Sequence, residues 1–126
     1  MERLFWICLG GAAGTAARYG VGLWMGSRFT GPLPVGTILV NLLGCFAIAL
    51  IMTLATAFEW SATVRMGLTI GVLGGFTTYS SFNYETSRLL LAGAPGTAAI
   101  NLLITTLGGL AAGWLGLLCA RQIIGH

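Results

Sequence analysis

The residues best able to do chemistry lie in one stretch, Gly71-Val-Leu-Gly-Gly-Phe-Thr-Thr-Tyr-Ser-Ser-Phe-Asn-Tyr-Glu85. It holds hydroxyls, small residues and aromatic rings, with no nucleophile set beside a base. Its chemistry is ion coordination, not bond making. Gly74 and Gly75 each cost a helix up to ~1 kcal/mol relative to Ala, and Thr77 and Thr78 can bond back to the backbone. A helix broken over 74–78 leaves carbonyl oxygens without intrahelical donors. Carbonyls converging in a protein interior suit a cation, and two copies meeting at the break would double the oxygens and suit Na+. Past the break, Tyr79 and Phe82 share a helix face, as do Thr77 and Ser81. The rings either pack or turn their positive edges toward a small anion. The Ser80 and Ser81 hydroxyls can replace water that such an anion loses.

Further polar groups sit at helical spacing elsewhere. Thr37 and Asn41 are one turn apart, with Gly44 three residues on. Asn41 either joins two helices or donates its amide hydrogens to an anion. Asn101 and Thr105 form a second polar track. Arg18 either reaches toward the interface or holds a fixed positive charge at an anion vestibule. Glu85 and Arg88, three apart, are spaced to pair. Gly10, Gly11 and Gly14 let another helix approach closely. His126 reads as an exposed terminal residue, and Trp114 and Arg121 as interfacial anchors. Cys8, Cys45 and Cys119 are odd in number, lie in apolar segments and read as free thiols. The sequence has no Asp, and of three Glu only Glu85 falls inside an apolar span. This is not an enzyme's inventory, nor that of a proton-coupled pump.

The elements that must position these groups are membrane helices. Of 126 residues, 56% are hydrophobic and 7% charged, against roughly 25% charged in soluble domains. One domain, residues 1–126, divides into apolar spans at residues 4–26, 35–58, 64–91 (broken near 74–78) and 97–123, each near the length that crosses a bilayer. The expected fold is all-α, with four transmembrane helices and a break in the third. Arginines are nearly balanced between the two sides: Arg3, Arg65 and Arg121 against Arg28 and Arg88, with Arg18 undecided. Either another factor fixes orientation, or the chain inserts both ways and forms an antiparallel, dual-topology homodimer.

Three motifs occur in order: Gly11-x-x-Gly14-x-x-x-Arg18-Tyr19, Gly36-Thr37-x-x-Val40-Asn41-x-x-Gly44, and Gly71-x-x-Gly74-Gly75-x-Thr77-Thr78-Tyr79-Ser80-Ser81-Phe82-x-x-Glu85. Together they resemble the Fluc (CrcB) fluoride channel family over essentially the whole chain. The resemblance implies a bacterial inner-membrane protein, an antiparallel homodimer with two pores, and passive fluoride export that protects the cell. It implies a central structural Na+ on the backbone carbonyls of Gly74 and Thr77. It implies a pore lined by Asn41, Tyr79, Phe82, Ser81 and Thr105, with Arg18 at the vestibule. Tyr79 stands where many members carry Phe, and Asn101 where many carry Tyr. The competing readings are a small multidrug-resistance transporter, which would need an acid in the first span, and a helper subunit of a larger membrane complex.

Overall fold

The computed structural model describes residues 1–125, and all of the regular structure among them is helical; His126 lies outside the described residues. Helix α1 (Glu2–Arg28) rises about 40 Å at 1.5 Å per residue. Two prolines in the 29–34 link stop the chain from continuing as helix, and α2 (Val35–Ala57) starts directly after Pro34. Glu59, in the left-handed region at φ 50°, reverses the chain. Ser61 then caps α3 (Ala62–Met66), its Oγ accepting the Val64 N–H at 3.3 Å.

Helix α3 passes without a gap into a π-helical segment (Gly67–Leu73) and then α4 (Gly74–Phe76). The interruption comes next and is two residues long. Thr77 and Thr78 are both extended, at φ −90° and −153°. Thr78 caps the following helix, α5 (Tyr79–Leu91). Gly93, at φ 72°, turns the chain, and Pro95 opens α6 (Pro95–Leu103) at a position where a missing N–H costs nothing. A second π segment (Ile104–Gly108) joins α6 to α7 (Gly109–Ile124). Helix α2 and the joined helix Pro95–Ile124 are long and apolar enough to cross a membrane, with mean hydropathies of 2.5 and 1.8.

Chain neighbours touch, but the broadest contacts are between alternate rods: α1 lies along residues 62–76, and α2 along α7. Glycine makes both contacts possible. A Cβ on Gly10 would press on Gly67 O, one on Gly14 would overlap Val72 O, and one on Gly75 would overlap Gly11 O. Across the other contact, a Cβ on Gly116 would overlap Phe46 O. These backbones meet with no side chain between them, the packing mode expected where lipid removes any hydrophobic drive between helices. Gly74 and Gly75 are therefore not the break. Both are helical, and Gly75 serves the α1 contact. The buried apolar set is small (Ile38, Val40, Ala55, Leu73, Phe82, Ala98 and Ala120 among its members), and large apolar side chains cover the outside.

Candidate functional site

The site is built around the extended pair Thr77–Thr78 and the side chain that faces it. Asn41 Oδ1 accepts the Thr78 N–H at 2.8 Å, and Asn41 Nδ2 donates to the Thr78 carbonyl at 2.9 Å. One amide hydrogen of Asn41 is thus committed to the protein, which leaves one for any other partner. One turn further along α2, Gly44 has no side chain, and Thr77 Cγ2 fills the space a Cβ would need.

This bridging redirects backbone donors. In an unbroken helix, Gly74 O would accept from Thr78 N–H and Thr77 O from Ser81 N–H. Here Thr78 N–H goes to Asn41, and Ser81 N–H goes to Thr78 Oγ1 at 3.2 Å. The carbonyls of Gly74 and Thr77 both lose their helical donors. Thr78 Oγ1, while capping α5, also donates to Ser81 Oγ at 3.1 Å and lies 3.3 Å from Ser80 Oγ. Three hydroxyls therefore stand together at the start of α5, where the helix dipole and free N–H groups favour negative charge.

The sequence-predicted site residues divide between two open grooves with Thr78 in both walls. The first, of about 430 Å³, is lined by Asn41, Tyr79, Phe82, Thr105 and Thr77, with Gly74 and Cys45 beside them. The second, of about 370 Å³, holds Arg18 and Ser81 with Thr15, Tyr19 and Thr37. Within one chain, Ser81 accordingly belongs with Arg18 and not with Asn41. Phe82 is buried and Tyr79 is 78% exposed; their ring centroids lie 5.7 Å apart at a 58° tilt. Arg18 is half-buried.

Two polar pairings differ from their sequence spacing. Glu85 Oε1 accepts from Thr37 Oγ1 at 2.8 Å, and its Oε2 is buried with no hydrogen-bond partner among the described residues. Arg88 is exposed, and the i, i+3 pair does not form. Asn101 is 1% exposed and donates from Nδ2 to Thr86 Oγ1 at 2.8 Å; its Oδ1 accepts from Thr105 Oγ1 at 3.5 Å. Thr86 is a site residue the sequence reading missed. Its signal is symmetry: residues 86 and 101 are nearly equidistant from the Gly93–Ala94 turn, so an antiparallel hairpin brings them together.

A family model described as "CrcB-like protein, Camphor Resistance (CrcB)" matches residues 5–117. The chain belongs to the CrcB family. Among similar proteins, one from Sorangium cellulosum is 49% identical over 98% of both chains. One from Anaeromyxobacter dehalogenans is 47% identical over 99% of this chain and 100% of the relative. One from Chloroflexus aurantiacus is 44% identical over 89% of this chain and 90% of the relative. Each of these relatives is named a fluoride-specific ion channel FluC. The match spans every residue that lines the two grooves of this CrcB chain. It also removes the multidrug-transporter and helper-subunit readings.

Proposed function

We propose that this CrcB chain is a fluoride-selective ion channel of the bacterial inner membrane, which exports fluoride passively and lowers its cytoplasmic toxicity. The observation that carries this reading is identity of 44–49% along nearly the full chain with fluoride-specific channels. It is a channel and not an enzyme. Fluoride holds its water strongly, so a path for it must offer replacement donors. The remaining Asn41 N–H, the hydroxyls of Ser80, Ser81 and Thr105, and the ring edges of Tyr79 and Phe82 are of the right kind. Arg18, charged at every working pH, would concentrate anions at the mouth.

In this reading the chain crosses the membrane four times and works as an antiparallel homodimer. Two features support a second copy. The chain exposes 7798 Å², whereas a compact monomer of this mass exposes about 6,400 Å². Tyr79, polar and 78% exposed at the level of the break, would leave its hydroxyl facing hydrocarbon without a partner surface. A sodium ion fits the carbonyls of Gly74 and Thr77, which have lost their helical donors, and two copies would supply four such oxygens. When bound, the ion would neutralise those carbonyl dipoles and hold the break open.

The test is fluoride efflux from liposomes carrying the purified protein. Rapid efflux without a proton gradient, with chloride retained, is the expected result. Vesicles that keep their fluoride, or release chloride equally, would end the proposal.

A further inference from the structure

Thr105 and Phe82 line the same groove, and a chain of hydrogen bonds joins them through the protein interior. Its direction is fixed from one end. The Phe82 carbonyl can only accept, so Thr86 Oγ1 donates to it, at 2.7 Å. With its proton used, Thr86 Oγ1 becomes the acceptor for Asn101 Nδ2 at 2.8 Å. The Asn101 amide is then oriented with Oδ1 toward Thr105, and Thr105 Oγ1 must donate, at 3.5 Å. Asn101 is 1% exposed, so water offers it no alternative partner.

We infer, resting on the fluoride-channel reading, that Thr86 and Asn101 are positioning residues that turn the Thr105 proton away from the groove and make Thr105 a donor on demand. With its proton on Asn101, Thr105 presents lone pairs to the groove, and lone pairs repel an anion. The link to Asn101 is the longest of the three and sits at the outer limit of a hydrogen bond. It is the link an arriving anion can open: the hydroxyl turns and donates to fluoride, and it turns back to Asn101 Oδ1 when the ion leaves. Residues buried behind the groove therefore set the anion affinity of its wall.

The experiment measures fluoride flux against fluoride concentration in liposomes for four proteins beside wild type. Thr86→Val keeps the shape but removes the hydroxyl that orients Asn101. The amide can then turn Nδ2 to Thr105, which must accept, and the Thr105 proton is released into the groove. A standing hydrogen bond to a charged group is worth about tenfold in affinity, so the half-saturating fluoride concentration of Thr86→Val falls by about that factor. Thr86→Ser, which keeps the donor, stays within about twofold of wild type. The double variant Thr86→Val/Thr105→Val loses the shift. Thr105→Val alone raises half-saturation, because the hydroxyl that turns to fluoride is gone, but by clearly less than about tenfold, because part of that bond is offset by breaking the one to Asn101.

A Thr86→Val shift that survives in the double variant overturns the inference. So does a matching shift in Thr86→Ser, or a rise of about tenfold in Thr105→Val alone. If Thr86→Val does not fold, Thr105→Val decides by itself. Wild-type vesicles that release no fluoride overturn the channel reading instead, which separates the two failures.

Discussion

Asn41 holds Thr78 by both of its backbone polar groups, Oδ1 on the N–H at 2.8 Å and Nδ2 on the carbonyl at 2.9 Å. The amide acts as a neighbouring strand would, satisfying a residue that has left the helix on both sides of it. Without such a partner, two extended residues in an apolar interior would each strand buried polar groups. Helix α2 is therefore the template on which the interruption forms.

Replacing Asn41 tests the template and the anion path together. Asn41→Leu leaves Thr78 without both partners and costs about 1–3 kcal/mol, read by thermal unfolding in detergent. Asn41→Asp keeps the acceptor but loses the donor and adds negative charge, so fluoride efflux nearly vanishes. Undiminished flux in Asn41→Asp would take this residue out of the pathway.

The glycine contact between α1 and residues 62–76 gives a sharp contrast. Gly75→Ala drives a methyl onto Gly11 O and destabilises by about 1–3 kcal/mol. Gly96→Ala meets nothing within 4 Å and stabilises helix α6 by up to about 1 kcal/mol. Equal melting temperatures for the two variants would contradict the packing described above.

Among the described residues, Glu85 has one hydrogen-bond donor, Thr37. Thr37→Val leaves the buried carboxyl without it and costs about 1–3 kcal/mol, whereas Thr37→Ser restores it. The check is the difference in unfolding midpoint between those two variants. No difference would show that the carboxyl finds another donor.

Tyr79 carries a hydroxyl that forms no hydrogen bond among the described residues. Tyr79→Phe should therefore change the stability of the detergent-solubilised single chain by no more than about 0.5 kcal/mol. If the hydroxyl instead meets a second copy, dimer dissociation on dilution is where the substitution registers.

Dual topology has its own readout. A tag after the described C-terminal helix should react with impermeant reagent from both faces of the membrane in intact cells. Labelling from a single face would rule out the antiparallel arrangement.

Much of this architecture was legible in residue order, for physical reasons that can be named. The 74–78 region stood out because polar and small residues interrupt an apolar run, and the interruption does fall within it, at Thr77 and Thr78. Gly74 and Gly75 play a different part from the one their cost to a helix suggests. Losing a Cβ either loosens a helix or lets a backbone approach, and only the position of Gly11 decides between the two. The i, i+3 spacing of Glu85 and Arg88 was real, yet a hydroxyl 48 positions away, on Thr37, holds the carboxyl. Local spacing does not record what a neighbouring helix brings. The partnership of Asn101 with Thr86 depends on the register of the α5–α6 hairpin, and the shared groove on the packing of α2.

The two π segments, Gly67–Leu73 and Ile104–Gly108, both contribute to the wall of the Asn41 groove through Thr69, Leu73, Thr105 and Thr106. A π turn is an α-helix that has absorbed one additional residue. Deleting a single codon from either segment would restore ordinary winding and leave the residues beyond it in phase, whereas a deletion from the α-helical turns would rotate them by about 100°. The groove wall can thus change by one residue at either segment while the helix beyond keeps its contacts, a local route to new pore walls that point substitution does not offer.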